Sequence, residues 1–376
     1  MKKILVVDGD VLARQAFAKV LQERTDHQIF VQADVEALVE TVLKTDPDLL
    51  LLGIDPEKVE EIAMLSVISH RFPGLPLVVG AERTREGATI GIAALKLGAF
   101  DIVTKPENYN SILFAERHLV KRLVPIVQSA LKIQENKKND FGGTYANRSR
   151  KLNIHSPLEM VVVGGCTGGP AALLSIIKRL PKTLSVPIVI VQHLPRFFTT
   201  ALATKLNEIT ELPVKEASHG MTLKPGRVSI IPGGFHGEVH RDGSKTRLKL
   251  HKGPRENKAR PSIDLLFRSA ARLYGSGVLG IILSGCGVDG LAGAGAVKHA
   301  GGQVIVQDYR SALVPDLPLS VIRKGYQKLI SPVDQIPEHI SNWDISGTSS
   351  KPAVERNSAR LKGPKLIRKP LFSSAF

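Results

Sequence analysis

A cysteine, a histidine and an aspartate, three residue types that can share one reaction, each stand just after an apolar segment of the chain. Cys166 follows the apolar run 160–163 and lies in the glycine-rich segment VVVGGCTGGP, residues 161–170, with a helix expected to begin near Gly168. Backbone N–H groups and the dipole at a helix N-terminus stabilise anions, so this position lowers a thiol pKa and can hold an oxyanion. The pattern favours nucleophilic catalysis by Cys166.

His193 and Asp289 are the candidate partners of that thiol. His193 follows the predicted strand 188–191, and Asp289 closes the glycine-rich loop after the predicted strand 278–283. Because catalytic groups in open α/β sheets gather where strands end, the three side chains are expected to converge although they lie far apart in sequence. A nucleophile, a base and a carboxylate that orients the base would form a triad by role.

Each of these residues also has a simpler interpretation. Gly164, Cys166 and Gly169 occupy the three positions of the dinucleotide fingerprint GxGxxG, but cysteine replaces the middle glycine, which lets backbone approach a pyrophosphate. No acidic residue closes the next strand either. Taken singly, His193 is more typical of a structural histidine, and Asp289 fits a helix cap equally well. The catalytic interpretation therefore depends on their meeting in space.

Both halves of the chain have the alternating pattern of an α/β fold. In the first half, five apolar runs alternate with amphipathic stretches, which predicts a doubly wound parallel sheet with helices on both faces. The predicted strands there are 4–7, 29–31, 49–52, 77–79 and 100–103. In the second half they are 160–163, 188–191, 228–231, 278–283 and 304–306.

The chain has material for two ordinary domains, with 376 residues of which 43% are hydrophobic. We assign residues 1–120 to a first domain and residues 155–345 to a second. Residues 121–154 begin as a continuing helix and then lose all periodicity, which predicts a linker. Residues 346–376 are rich in Ser, Lys, Arg and Pro, so a basic, disordered tail is expected.

Charge narrows the class of partner. The net charge is +16, yet residues 1–120 carry 13 basic and 18 acidic side chains, so the positive excess lies in the rest of the chain. Such a field favours an acidic partner. The sequence has no aromatic interleaving, zinc-finger spacing or recognition-helix pattern, so nucleic acid is not expected to be that partner.

Composition also limits cofactors and location. No metal and no cofactor is expected, because the His, Cys and carboxylate residues lack ligand spacing. The sequence shows no leader and no apolar run near the roughly 20 residues that span a bilayer. With two cysteines, it is expected to be a cytoplasmic protein without structural disulfides.

The segments KKILVVD (2–8), PDLLLL (47–52) and FDIVTKP (100–106) resemble the receiver domain of response regulators. The resemblance implies a flavodoxin-like domain for phosphorelay signalling. In that family an aspartate accepts a phosphoryl group, two acidic residues hold Mg²⁺, and a Ser or Thr and a Lys contact the phosphoryl oxygens. A carboxylate must attack and a divalent ion must offset the charge.

Carried over residue by residue, this site is degenerate. The acceptor position falls on Gly53, the second acidic position on Gly9 and the Ser/Thr position on Ala81, while Asp8 and Lys105 match. Glycine has no side chain that could accept phosphate. The first domain is therefore predicted to be a pseudo-receiver that serves as a docking, dimerisation or cover element.

Two other carboxylates could rescue phosphoryl acceptance. Asp10 and Asp55 lie close in sequence to the matched positions, although Asp55 falls two residues past the expected acceptor point. Rescue by either is the alternative to the pseudo-receiver.

The second half resembles the CheB-type chemotaxis methylesterase family. The motifs that carry the resemblance are VVVGGCTGGP (161–170), PGGFH (232–236), RPSIDLLF (260–267), LSGCGVDG (283–290) and VQDYRSA (306–312). The resemblance implies a Rossmann-like α/β domain that hydrolyses glutamyl methyl esters on chemoreceptors, often with deamidation of receptor glutamines. Methylated chemoreceptors and a cognate histidine kinase are the partners it implies.

The resemblance also implies roles for individual residues. The family's nucleophilic serine maps to Cys166, its histidine to His193 and its aspartate to Asp289. A Cys–His pair can acylate and deacylate, which predicts a thiol esterase. Because sulfur is larger than oxygen, the alternative is a pseudoenzyme that keeps only receptor or partner binding.

The family's oxyanion donor, a backbone N–H usually of methionine, maps to Cys286, beside Gly287, and Thr167 lies next to the nucleophile. Tyr309 and Leu317 stand where the family usually has glutamate and methionine, which leaves peripheral specificity open.

Both cysteines fall in the predicted site. A reversible disulfide between Cys166 and Cys286 would block the nucleophile, whereas simple packing of small side chains is the alternative, and geometry decides between them.

Overall fold

The computed structural model describes residues 1–106, 112–138, 152 and 156–348. Part of the predicted linker and nearly all of the predicted tail therefore lie outside the described residues. A helix occupies residues 112–138, and the last described helix ends at Thr348. The proposed domain limits at 120 and 345 thus both fall inside helices.

The first half forms a five-stranded parallel sheet with helices on both faces, as the apolar rhythm predicts. Its strands are β1 (Lys3–Val7), β2 (Gln28–Gln32), β3 (Leu49–Gly53), β4 (Leu77–Ala81) and β5 (Asp101–Thr104), in the order β2-β1-β3-β4-β5. Its helices are α1 (Val11–Arg24), α2 (Leu38–Thr45), α3 (Val59–Arg71), α4 (Arg85–Lys96) and α5 (Ile112–Lys138). Every residue of β3, β4 and β5 is buried, and this burial explains the continuous apolar runs of β3 and β4.

Helix α5 belongs to the core of this first half. Its apolar face, including Leu123 and Ile126, packs in one buried cluster with Phe17 and Leu21 of α1. The start of the predicted linker is therefore fixed to the first domain by apolar packing.

The second half contains a seven-stranded parallel sheet and a separate hairpin. The sheet strands are β6 (Met160–Gly165), β7 (Ile188–Gln192), β8 (Val214–Glu216), β9 (Val228–Ile230), β12 (Val278–Ile282), β13 (Gln303–Gln307) and β14 (Leu329–Ser331), in the order β14-β13-β12-β6-β7-β9-β8. The hairpin pairs β10 (His236–Asp242) with β11 (Lys245–His251). The helices are α6 (Gly169–Lys178), α7 (Phe198–Ile209), α8 (Ile263–Tyr274), α9 (Leu291–His299), α10 (Asp316–Arg323) and α11 (Ile336–Thr348).

Strand order places the candidate site residues at one edge. β6 lies between β7 and β12, with Gly165 paired to Gln192 and Gly164 paired to Ile282. Cys166, His193 and the loop after β12 thus follow three adjacent parallel strands. Their carboxyl ends face the same side of the sheet.

The two halves pack against each other through α4 and α7. Ile92 of α4 and Phe198 of α7 belong to one buried apolar cluster. Gly91 lies so close to the Phe198 ring that an added Cβ would stand 3.1 Å from it. The first domain therefore rests directly on the second.

An internal ion pair fills the degenerate acceptor position of the first domain. Lys105 Nζ donates to Asp8 Oδ1 at 2.8 Å, and both side chains are buried. Burial raises the pKa of the Asp8 carboxyl, and Lys105 acts against that rise. A Cβ built on Gly53 would overlap the Asp8 carboxylate. The space that an acceptor side chain would need is occupied.

The two carboxylates considered for rescue have structural partners. Asp10 caps α1, accepting from the N–H groups of Leu12 and Ala13. Asp55 accepts from the N–H of Glu57, and its own N–H donates to Glu61 Oε2 at 2.6 Å. These contacts favour the pseudo-receiver interpretation, which stays a prediction.

Gly53→Ala should destabilise the chain by about 1–3 kcal/mol, because the added methyl displaces Asp8 from Lys105 in a packed interior. Gly74→Ala is the matched control, since its Cβ would meet nothing within 4 Å. Urea unfolding of the two variants measures the difference. Equal unfolding midpoints would contradict a filled acceptor position.

Candidate active site

Cys166 is held rigidly at the end of β6. Its N–H donates to the Ser284 carbonyl at 3.0 Å, and its carbonyl accepts from Gln192 Nε2 at 2.6 Å. Gly168, with φ +75°, makes the turn into α6 that a side chain would strain. The side chain is 4% exposed. The sulfur therefore stands at the N-terminus of a helix, where an anion is stabilised.

His193 and Asp289 meet at this edge. His193 Nε2 lies 2.8 Å from Asp289 Oδ2, so the other ring nitrogen, Nδ1, is left for the thiol. Burial alone would raise the pKa of the Asp289 carboxyl, but the hydrogen bond and charge of His193 lower it below its usual range. Asp289 is therefore an ionised carboxylate that fixes the imidazole.

A network of donors holds Asp289 in turn. Ser262 Oγ donates to Oδ1 at 2.8 Å, the Ile263 N–H donates to Oδ2 at 2.7 Å, and Asn257 Nδ2 lies 3.3 Å from Oδ1. These donors come from the loop before α8 and from its first turn. They keep a buried negative charge satisfied, which an isolated carboxylate at this depth would not be.

The thiol and the imidazole form a charge-coupled pair. The hydrogen bond from Cys286 and the charge of His193 lower the pKa of Cys166 well below the ordinary thiol range, although burial opposes them. Burial also opposes protonation of His193, yet Asp289 and Cys166 raise its pKa to about 10. At neutral pH the site therefore holds a thiolate beside an imidazolium.

Cys286 and Thr167 border the sulfur. The Cys166 and Cys286 sulfurs lie 3.6 Å apart, and Thr167 Oγ1 lies 4.0 Å from Cys166 Sγ. Ser284 Oγ donates to the Thr167 carbonyl at 2.7 Å and ties the two loops together. Gly287, with φ +84°, turns the chain directly after Cys286. The oxyanion role of this group stays a prediction.

Arg122 contacts Cys166, and the sequence did not indicate this contact. It projects from α5, and its Nη1 lies 3.7 Å from Cys166 Sγ. Its charge lowers the pKa of Cys166 and partly offsets the burial that raises the pKa of Asp101 to about 6. The residue fell in the predicted linker, where no motif indicated that it reaches the second domain.

Gln192, Asn257 and Ser262 were also not singled out as site residues. Ser262 lies in the motif RPSIDLLF, so the sequence carried a signal for it. Gln192 precedes His193 directly and could have been found as a polar residue ending a buried strand. Asn257, with φ +50°, gave no such signal.

The first domain covers the site in this arrangement. Arg122 lies over the sulfur, and Thr104 of β5 lines the same narrow interdomain cleft as Pro195 and Phe198 of the second domain. These contacts between the two domains restrict access to Cys166.

Within the residues that the structure describes, no cluster of His, Cys, Asp or Glu could hold a metal ion. None of the helices in those residues has an apolar stretch of the length that a membrane span requires.

Two family models match the chain: CheB methylesterase over residues 161–340 and response regulator receiver domain over residues 4–115. A protein-glutamate methylesterase/protein-glutamine glutaminase of Thermotoga maritima is 35% identical over 343 residues, covering 90% of this chain and 97% of the relative. The chain belongs to the CheB methylesterase family. A relative of the same description from Trichodesmium erythraeum is 34% identical, with 90% of this chain and 97% of the relative covered.

A solved structure of the Thermotoga maritima CheB methylesterase catalytic domain is 42% identical to the matched part. It covers 49% of this chain and 98% of that chain, with a TM-score of 0.49. The order of a receiver domain followed by a CheB methylesterase domain agrees with the architecture expected from the sequence.

The pH midpoint for alkylation of Cys166 by iodoacetamide should lie below the ordinary thiol value of about 8.5. His193→Gln should move that midpoint upward, because the neighbouring positive charge is lost. His240→Gln, at an exposed position of β10, is the control. Peptide mass spectrometry measures the alkylation of each cysteine separately. A midpoint at the ordinary thiol value that His193→Gln leaves unchanged would contradict the ion pair.

Proposed function

We propose that this CheB methylesterase family member hydrolyses glutamyl methyl esters on chemoreceptors through Cys166, in sensory adaptation. The supporting observation is the 2.8 Å contact of His193 Nε2 with Asp289 Oδ2 beside a thiol of lowered pKa. The curated relatives are named for both ester hydrolysis and glutamine deamidation. Deamidation uses the same steps with an amide, so the proposal includes it.

The ion pair sets the order of proton transfers. The Cys166 thiolate attacks the γ-carbonyl carbon of the ester. That carbon becomes tetrahedral, and its oxygen becomes an oxyanion. The His193 imidazolium then protonates the methoxide, which leaves as methanol while a thioester remains. Neutral His193 takes a proton from water, the hydroxide attacks the thioester, and glutamate leaves with Cys166 restored.

Asp289 stabilises the imidazolium in both steps and is not consumed. The oxyanion of each intermediate would be held by N–H groups near Thr167 and Cys286, at the N-terminal end of α6. Preorganised donors there act on charge that develops in the transition state.

A pseudoenzyme is the second candidate. It is favoured by the position of Arg122, which lies 3.7 Å from the sulfur and occupies space that a substrate would need. In that case the chain would bind receptors without turnover, and the cysteine would have replaced the family's serine because hydrolysis was no longer required.

Methanol release from methylated receptor separates the candidates. Cys166→Ala should lower the rate by at least about 10⁴-fold, because the nucleophile is lost. Ser276→Ala, exposed just before the amino end of β12, is the matched control and should keep the wild-type rate.

Cys166→Ser completes that assay. Activity in the wild type but not in the alanine variant supports the thiol esterase. Activity in the serine variant alone would contradict it and favour the pseudoenzyme.

The acidic, glutamate-rich methylation region of a receptor fits the charge of the second domain. Lys252, Arg255 and Lys258 are exposed in the loop that also carries Asn257, the side chain that contacts Asp289. A basic rim therefore borders the active site. It would attract an acidic helix and orient it towards the sulfur.

A histidine kinase is a second proposed partner. It would dock on the receiver-type half without phosphoryl transfer, since the Asp8–Lys105 pair fills the acceptor position. Because the substrate region of a chemoreceptor faces the cytoplasm in this family's pathway, we propose the same location for this chain.

Receptor binding should weaken as ionic strength rises, because exposed charges are screened. Arg255→Gln with Lys258→Gln should slow association at low salt by up to about tenfold and reduce the salt dependence. Lys224→Gln with Lys245→Gln removes the same charge at exposed positions away from the rim and is the control. Stopped-flow association rates that do not change with salt would contradict the charge argument.

A further inference from the structure

The two cysteines of the chain come into contact with each other in the folded protein. Their sequence positions are 120 residues apart, yet Cys166 Sγ and Cys286 Sγ lie 3.6 Å apart and both thiols are free. In the proposed ester hydrolysis only one of the two thiols forms a bond with the substrate. The pair therefore calls for a chemical role of its own.

Electrostatics gives the two sulfurs different states. Cys166 accepts a hydrogen bond from Cys286 and lies 3.7 Å from Arg122 Nη1. The charge of the His193 imidazolium also lowers the pKa of Cys166. The hydrogen bond to the Cys166 thiolate and burial both raise the pKa of Cys286, which stays a protonated thiol. One sulfur is a nucleophile and its neighbour carries a proton, which is the arrangement needed for stepwise oxidation.

The backbone lets the two sulfurs approach each other. Gly285 lies against Cys166 so closely that an added Cβ would stand 2.6 Å from the Cys166 Cβ. Gly287, at φ +84°, meets nothing within 4 Å at its own Cβ position. Gly285 thus holds Cys286 close to Cys166, and the sulfurs need to close from 3.6 Å to the bonded distance of about 2.0 Å.

We infer that Cys166 is a peroxide-reactive thiol and that Cys286 is its resolving partner, so that the active site closes into a reversible disulfide. The Cys166 thiolate attacks one oxygen of hydrogen peroxide, the O–O bond breaks, and hydroxide leaves. The product is a sulfenic acid on Cys166. The Cys286 sulfur then attacks the Cys166 sulfur, and the hydroxyl leaves as water together with the thiol proton.

Peroxide oxidises both sulfurs in this sequence and is itself reduced to hydroxide and water. A dithiol reductant reverses the step by thiol–disulfide exchange. Peroxide is small enough for a site whose cysteine residue is 4% exposed, whereas a receptor helix is not. The disulfide occupies the nucleophile, so ester hydrolysis would stop while it persists. Disulfide formation itself does not depend on esterase activity.

The test uses the reduced full chain and hydrogen peroxide near equimolar concentration. We expect both thiols to disappear together, a loss of two hydrogens in intact mass and a cross-linked peptide containing both cysteines. Dithiothreitol should restore two titratable thiols. Two thiols that persist after peroxide treatment, or a disulfide between two chains with no internal cross-link, would overturn the inference.

Two variants separate the partners' roles. In Cys286→Ala, Cys166 should accumulate a sulfenic acid that dimedone traps, followed by sulfinic acid. Arg122→Gln should slow oxidation of Cys166 several-fold at neutral pH, whereas Arg71→Gln, at an exposed position of α3, should not. Direct conversion of wild-type Cys166 to sulfinic acid without a cross-linked peptide would show that Cys286 does not resolve it, and would also overturn the inference.

Discussion

The contact between the His193 imidazole and the Asp289 carboxylate is the interaction on which the rest of the site depends. Its 2.8 Å length and the donors around Asp289 keep a negative charge buried, and that charge raises the pKa of His193 to about 10. A protonated imidazole in turn stabilises the Cys166 thiolate. The seven-stranded sheet brings these charged groups together, because the adjacent strands β6, β7 and β12 end at one edge.

A thiol at position 166, where the family resemblance implies a serine, changes what the surrounding groups can do. A serine hydroxyl needs its proton removed during attack, whereas the Cys166 thiolate exists beforehand, so Arg122 and Cys286 can act on a resting anion. Arg122 belongs to α5, so the first domain contributes a charge to the second. In that domain Asp8 pairs with Lys105, and the domain contacts the second one through apolar packing and through Arg122.

The sequence predicted the parts of this structure that have a clear hydrophobic pattern. The apolar runs indicated all five strands of the first sheet and five of the seven in the second, because buried parallel strands are continuous apolar segments. The three-residue strands β8 and β14 are too short to show a pattern. Strand β10 of the hairpin ends in exposed polar residues, so it has no continuous apolar run. Arg122 could not be placed, since no local pattern tells a helix which distant side chain it will meet. Asn257 lies in a loop, and no local pattern indicates its contact with Asp289, 32 residues further along the chain.

If Cys166, His193 and Asp289 interact as one set of charges, the protonation state of His193 depends on both of the other residues. Nitrogen NMR of the ring in the full chain reads it directly. We expect an imidazolium protonated on both nitrogens at neutral pH that loses a proton near pH 10, and a clearly lower pKa in Cys166→Ala. A neutral ring at neutral pH in the wild type, or a pKa that Cys166→Ala leaves unchanged, would contradict it.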